Sequence, residues 1–257
     1  MNRAYRIVYN ETTGTYVAVA EFAKSHTKTN NSKSLLSSVV VAVGLIGVSA
    51  PSYASFTGDG GKANGDRSIA IGAGSEVAKS TSQSIAIGDN AVTTGDQATA
   101  LGNNVKASGN SSVAIGGDDI DKVAKANGDE YKKLTGGTIS SGTYISTEAS
   151  GGGAVAIGVQ TLARGNFSTA IGMTSNSYGA GSVAIGARAT AGDQGATSIG
   201  TASAATAKQA VAIGVNSTAS GLNATALGSG GSSAAKATQA TKEGSIAIGG
   251  DSVAGAK

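Results

Sequence analysis

The side chains that most often do chemistry in proteins are scarce in this sequence. Its single histidine is His26 and it has no cysteine. Residues 55–257 also lack proline and tryptophan. Neither a Ser-His-Asp nor a Cys-His nucleophilic site can be built there, nor can a zinc site of the usual ligands. We therefore expect no enzyme activity, no cofactor and no metal site.

Charged and aromatic residues concentrate in one stretch, residues 117–153, and suit binding rather than catalysis. Ile120, Val123, Tyr131 and Leu134 recur at a spacing compatible with a short amphipathic helix, and residues 138–147 could follow as a hairpin arm. Two interpretations stay open: a tolerated surface loop, or a projecting partner-binding arm, since functional contacts concentrate on loops carried by rigid scaffolds. The candidate contact residues of such an arm are Asp118, Asp119, Lys125, Tyr131, Lys132 and Tyr144.

The rest of the chain is built from a five-residue phrase, first met as Ser68-Ile69-Ala70-Ile71-Gly72. Successive closing glycines lie mostly 14 residues apart, and the longest interval, 42 residues across the charged stretch, is a multiple of 14. A fixed period of this length predicts a solenoid. The residues that define the repeat are the last two of each phrase: Ile71, Gly72, Ile87, Gly88, Leu101, Gly102, Ile115, Gly116, Ile157, Gly158, Ile171, Gly172, Ile185, Gly186, Ile199, Gly200, Ile213, Gly214, Leu227, Gly228, Ile248 and Gly249.

Each repeat predicts a coil of two short strands and two glycine turns. The β-branched and Ile positions lie two apart and share one strand face, whereas the alanine between them points to the other face. Burying one Val and one Ile stabilises by roughly 3 to 6 kcal/mol, but ordering each residue costs about 1 to 2 kcal/mol, so a coil needs its neighbours. Two apolar stripes on a thin roll predict a homo-oligomer, and either stripe could line the interior.

The first 54 residues predict an export signal. Residues 35–48 are an uncharged apolar run, preceded by lysines and followed by Ser52-Tyr53-Ala54, which is the pattern of a signal cleaved between Ala54 and Ser55. A membrane-anchoring helix is the alternative, but the run is shorter than the roughly 20 residues that a bilayer requires. The leader also carries the whole net charge of +3. The rest is formally neutral, which predicts no nucleic-acid partner.

The pattern divides the remaining chain into segments. Residues 55–67 are expected to be a loose lead-in, 68–116 a first block of repeats and 117–153 an insertion. A second block follows at 154–257, with a short insert at 229–244. The sequence shows neither a heptad stalk nor amphipathic barrel strands, so we expect it to be truncated before any stalk or anchor.

The leader resembles the extended signal-peptide region of large Gram-negative autotransporters, and the S-[VI]-A-I-G phrase resembles the YadA-like head of trimeric autotransporter adhesins. The resemblance implies an all-β fold, a left-handed parallel β-roll forming a homotrimer on the bacterial cell surface, anchored in the outer membrane through a C-terminal barrel. It also implies cell adhesion to host extracellular matrix proteins or cell-surface receptors, self-agglutination and biofilm formation. The leader residues that carry it are Asn2, Tyr5, Arg6, Tyr9, Asn10, Thr13, Gly14, Val17 and Ala18.

Two other interpretations stand beside an adhesive head. A purely structural spacer would have the same repeats without ligand contacts of its own. A left-handed β-helix acyltransferase would work on a hexapeptide period and would need a catalytic histidine that residues 55–257 lack. The collagen-associated repeat of some relatives begins with Asn, which Ser111 and Gly181 replace here, so collagen specificity is not predicted.

Overall fold

The computed structural model describes residues 5–10, 15–20, 55–230 and 237–255. The chain divides into two compact units, Met1–Pro51 and Ser52–Lys257. In the first unit, Tyr5–Asn10 (β1) and Thr15–Ala20 (β2) form an antiparallel hairpin. The predicted apolar run at 35–48 and Ala54 of the predicted cleavage site lie outside the described residues.

The second unit is a parallel β-solenoid, so the predicted all-β fold of about 14-residue coils is confirmed. Each coil places one strand in each of two sheets, and each sheet has twelve strands among the described residues. Sheet 1 contains Phe56–Gly58 (β3), Ile69–Ile71 (β5), Ile85–Ile87 (β7), Thr99–Gly102 (β9), Val113–Gly117 (β11), Val155–Val159 (β13), Thr169–Ile171 (β15), Val183–Ile185 (β17), Thr197–Ile199 (β19), Val211–Ile213 (β21), Thr225–Leu227 (β23) and Ile246–Ile248 (β25). Sheet 2 contains Lys62–Ala63 (β4), Glu76–Val77 (β6), Val92–Thr93 (β8), Val105–Ala107 (β10), Thr147–Ala149 (β12), Leu162–Ala163 (β14), Asn176–Ser177 (β16), Thr190–Ala191 (β18), Ala204–Ala205 (β20), Thr218–Ala219 (β22), Gln239–Ala240 (β24) and Val253–Ala254 (β26).

Alanine lines the interior of the solenoid, which settles the choice that the sequence left open. Equivalent phrase positions stack in register, so that Ala170 pairs with Ala184 and Ile171 with Ile185. The alanines are fully buried, whereas the residues on either side of them are half-exposed. Serine fills further interior positions, and the Ser182 hydroxyl donates to the Gly179 carbonyl over 2.6 Å. The isoleucine and β-branched stripe is therefore the outer face of sheet 1.

The two predicted uses of glycine are both present. Gly172 has a φ of +120°, and a Cβ there would lie 2.8 Å from the carbonyl of Gly186 in the next coil. Gly95, in the other turn, does not have a positive φ, but a Cβ would collide with the carbonyl of Gly109. One glycine serves both backbone conformation and close approach, and the other serves close approach alone.

The expectation of a loose lead-in at residues 55–67 is wrong. Here β3 pairs with β5 and β4 pairs with β6, and the Ser55 hydroxyl donates to the Gly65 carbonyl over 2.6 Å. These residues form the first coil of the stack. The sequence does not predict this coil because residues 55–67 are rich in glycine, aspartate and lysine and lack the apolar phrase. Backbone hydrogen bonds to the next coil hold them in place.

The insertion is shorter than predicted and loops out of a single turn. Strand β11 extends to Gly117 and pairs directly with β13 of the next coil. Strand β12, which follows the insertion, completes the coil that β11 begins. We use "the insertion" below for residues 118–146. It contains one helix, Asp121–Thr135 (α1), and residues 138–146 form no strand, so the predicted hairpin arm is wrong.

The short insert predicted at 229–244 also ends earlier than expected. Strand β24 pairs with β22 and β26, so residues 237–244 belong to a regular coil. Residues 231–236 lie outside the described residues.

Candidate interaction site

The outer face of sheet 1, which we call the apolar face, is an uninterrupted stripe. In the strands of sheet 1 from β5 to β25, which carry odd numbers only, the outward positions are Ile, Val, Leu or Thr, and none is charged. These eleven strands are separated by ten spacings of about 4.8 Å, which give the stripe a length of roughly 50 Å. Many of its side chains are half-exposed, and Leu101 is 41 % exposed. An apolar surface of this size marks an interface.

The outer face of sheet 2, which we call the polar face, carries different residues on the same backbone. Lys62, Glu76, Lys106 and Glu148 occupy outward positions there. The Arg164 guanidinium lies 3.4 Å from the Glu148 carboxylate, a surface ion pair that contributes little stability by itself. This face is compatible with water, so it requires no covering partner.

The insertion lies along one flank of the solenoid, formed by the turns that lead from sheet 1 to sheet 2. The turn residues Gln160, Arg188 and Asn216 recur at 28-residue intervals, and each has a positive φ. The Gln160 amide donates to the carbonyl oxygens of Asp118, over 2.7 Å, and of Thr143. These contacts attach both ends of the insertion to the coil that follows the one it leaves, formed by β13 and β14.

Two further flank residues, Arg188 and Asn216, hold the middle of the insertion. The Arg188 guanidinium donates to the Thr138 carbonyl over 2.7 Å and lies 5.9 Å from the centroid of the Tyr131 ring. The Asn216 amide donates to the Thr135 carbonyl over 3.1 Å. The insertion is therefore held over several successive coils of its own chain rather than projecting as a free arm.

Asp118 ends a ladder of side-chain amides on the same flank. The Asn90 amide donates to the Asn104 side-chain oxygen over 3.1 Å, and the Asn104 amide donates to the Asp118 carboxylate over 2.9 Å. These three residues occupy equivalent turn positions in successive coils. Because the Asp118 carboxylate accepts from Asn104, its role in the structure is to start the insertion in register with the stack.

Helix α1 is weak by composition, since it contains Gly128, and its ends are stabilised locally. The Asp119 carboxylate accepts from the backbone N–H of Asp121 over 2.8 Å. At the other end, Gly136 adopts the left-handed conformation and donates to the Lys132 carbonyl. Burial of Tyr131 against the flank supplies the tertiary contact that a short helix requires.

The six candidate contact residues of the insertion take different roles. Tyr131 is 8 % exposed and packs on the flank, and Asp118 and Asp119 make the local contacts described above. Lys125 and Lys132 point to solvent. Tyr144 is 61 % exposed, and its hydroxyl donates to the Asp121 carboxylate over 2.9 Å. That hydrogen bond, together with the negative charge of Asp121, raises the pKa of Tyr144 above its ordinary value.

Sequence reasoning missed the residues that receive the insertion, Gln160, Arg188 and Asn216. They lie in turns between the regular phrases, and the repeat pattern assigns no role to these turn positions. The available signal was a long polar side chain at the same turn position of every second coil.

Within the described residues, no helix is long and apolar enough to cross a bilayer. In the same part of the chain, no group of three or more His, Cys, Asp or Glu side chains is arranged to hold a metal ion.

Comparison with protein families agrees with this geometry. Residues 1–50 match the extended signal peptide of the type V secretion system. The YadA head domain repeat matches more than half of the chain, at residues 58–75, 82–104, 106–118, 149–175, 177–203, 205–230 and 234–257. The chain belongs to the YadA head domain repeat family. The predicted resemblance to a trimeric autotransporter adhesin is thereby confirmed at the level of the family.

The YadA head repeats account for the coils but not for the insertion. Residues 119–148 fall between two matched segments, in agreement with the structure, which places α1 outside the stack. The extended signal peptide implies export toward the cell surface. A search of curated proteins finds no match to this YadA head chain.

Proposed function

We propose that this chain is the surface-exposed head of a bacterial trimeric adhesin, assembled as a homotrimer through its apolar faces. The observation that carries the proposal is the uncharged stripe of sheet 1 in a chain of YadA head repeats. A single thin coil cannot cover its own outer side chains, whereas a second and third copy can. Cleavage between Ala54 and Ser55 would release the head for display at the outer membrane.

The ligand-binding surface in this proposal is the part of the head that the trimer leaves open. It comprises the polar face and the solvent side of α1, where Lys122, Lys125, Lys132 and Lys133 are exposed. Asp129 lies on the same side of the helix, and the remaining excess of positive charge suits an acidic patch on a host matrix protein or cell-surface receptor. Contacts between heads on neighbouring cells would account for self-agglutination and biofilm formation.

The alternative is a structural spacer without ligand contacts. The full chain would be expressed in a Gram-negative host, the exported product purified, and its mass measured by sedimentation velocity. Binding would be measured to immobilised collagen, fibronectin and laminin and to epithelial cells. The comparison variant has residues 118–146 replaced by the short turn that ordinary coils use.

The adhesive function predicts a trimer that binds cells or at least one matrix protein. Loss of binding in the replaced variant, with the trimer intact, would assign the contact to the insertion. A trimer that binds none of these surfaces would support the spacer. A folded monomer would refute assembly through the apolar face.

A further inference from the structure

An apolar groove runs between α1 and the edge of sheet 1. Its volume is about 220 Å³. Val123 and Leu134, on one side of the helix, are 39 % and 47 % exposed. The lining residues are Val123, Asn127, Glu130, Tyr131, Leu134, Ile139, Met173, Ala187 and Thr201.

The groove continues the apolar face around its edge. Met173, Ala187 and Thr201 each follow a phrase glycine directly, so they lie two residues beyond the ends of β15, β17 and β19. A surface that covered the apolar face of these strands would therefore reach the groove as well. This continuity points to a second copy of the chain as the occupant.

The opposite flank carries an apolar side chain that its own chain leaves mostly exposed. Phe167, in the turn that leads from sheet 2 back to sheet 1, is 76 % exposed, the largest value among the large apolar residues that the structure describes. Glycines occupy the equivalent positions of the coils on either side: a Cβ at Gly153 would lie 3.3 Å from the Phe167 ring, whereas a Cβ at Gly181 would meet nothing within 4 Å. Phe167 therefore stands alone between two side-chain-free positions.

Cyclic symmetry would bring these two features together. If three chains turn their apolar faces toward one axis, each chain presents one flank to the opposite flank of the next, in a head-to-tail ring that closes. Rotation about that axis preserves height along the solenoid. Phe167 precedes β15 and Met173 follows it, so the two lie within about one strand spacing, roughly 4.8 Å, in height.

We infer that Phe167 of one copy occupies the groove between α1 and Met173 of the neighbouring copy. This inference rests on the homotrimer proposed above and adds a role for the insertion. It extends the subunit contact from the apolar face onto the flank and sets the rotational order of the chains. The contacts that hold α1 to its own flank, from Arg188 and Asn216, keep the groove in place for the neighbour.

Disulfide trapping tests the contact directly, because the chain contains no cysteine. The full chain carrying Phe167→Cys and Leu134→Cys would be exported, oxidised and run on a non-reducing denaturing gel. Covalent dimers and closed trimers are expected, since each chain would be joined to the next. The matched control pairs Phe167→Cys with Lys125→Cys, on the solvent side of the same helix, and should stay monomeric on the gel.

A second measurement is subunit exchange between differently labelled trimers. Phe167→Ser removes an exposed side chain, so folding is preserved, and loss of an anchor of this kind should speed exchange by about tenfold or more. Leu134→Ser should have the same effect, and the double variant should add little to either.

Two results would overturn the contact while leaving the trimer standing. One is a trimer, established by sedimentation, in which the Phe167→Cys, Leu134→Cys pair is cross-linked no better than its control. The other is unchanged exchange in Leu134→Ser together with lost binding to matrix proteins, which would make the groove a ligand site. A monomeric parent chain would refute both this contact and the proposed assembly.

Discussion

The apolar and polar faces share one backbone and one interior, yet in the described strands charged and amide side chains occupy outward positions only on the polar face. Along sheet 1 the outward residues are Ile, Val, Leu and Thr, whereas sheet 2 presents residues such as Lys106 and Asn176. In the described part of the solenoid, most large apolar side chains of sheet 1 thus lie on the surface, and the buried core is mostly alanine. The difference teaches that the interior and the exterior stripe have separate tasks: the interior packs between neighbouring coils, and the stripe is the surface that the proposed trimer would bury.

The small interior follows from the short coil. Fourteen residues must make two strands and two turns, so the sheets lie too close together for large side chains between them. Among the described residues, Val77 and Val105 are the only apolar side chains larger than alanine that are fully buried. Stability within one chain must therefore come mainly from ladder hydrogen bonds between coils, since alanine burial contributes little per residue.

The largest expected difference is in the mass of the assembly when a charge is placed on one face or on the other face of the same coil. Ile213→Glu would bring three carboxylates together on the apolar faces of a trimer, and burying an unpaired charge costs several kcal/mol. The trimer should dissociate, as measured by sedimentation velocity. Thr218→Glu, on the polar face of the following strand, should leave the mass unchanged. Equal masses for the two variants would contradict the proposal that the apolar face, and not the polar face, forms the contact between chains.

Overfilling the interior should have the next largest effect. Ala212 is fully buried, and Ala212→Leu would force the sheets apart at a cost of about 1 to 3 kcal/mol in the free energy of unfolding. The matched variant Val211→Leu changes the adjacent outward residue and should cost much less. Denaturant titration followed by circular dichroism compares them. Equal losses would contradict the assignment of alanine to the interior.

A glycine pair separates backbone conformation from close approach. Gly172 and Gly181 both have a positive φ, but only at Gly172 would a Cβ also meet the next coil, at 2.8 Å. Gly181→Ala should therefore cost about 1 kcal/mol, and Gly172→Ala more, in the range of about 1 to 3 kcal/mol. Unfolding midpoints measured side by side give the difference. A larger loss at Gly181 would be incompatible with the stacking of the coils.

The smallest expected effect is a shift in the pKa of Tyr144, which lies in the insertion and belongs to neither face. Because its pKa is raised by Asp121, the Tyr144–Asp121 contact is fully present below pH 10 and is lost as the pH rises through the folded-state pKa. Asp121→Asn should shift the ionisation of this tyrosine to lower pH. Absorbance titration of the variant and of Tyr144→Phe isolates the signal. An identical titration with and without the carboxylate would exclude the contact.

Much of the candidate site could be predicted, but the docking of the insertion could not. The helix was visible because Ile120, Val123, Tyr131 and Leu134 follow a helical spacing. The flank residues Gln160, Arg188 and Asn216 were not, because a polar residue in a turn is ordinarily exposed to water. Only the path of the insertion across several coils shows why Tyr131 is buried and why Lys125 is exposed.

The sequence by itself determined the solenoid, since a 14-residue period with glycines at both turns is compatible with few other backbones. It also determined the export leader and the absence of histidine and cysteine from residues 55–257. The tertiary structure alone decided which stripe lies inside, because period-two alternation defines two faces without ordering them. It also decided that residues 55–67 form a coil and that the insertion packs on its own chain. Both depend on contacts between residues far apart in sequence, which no local pattern records.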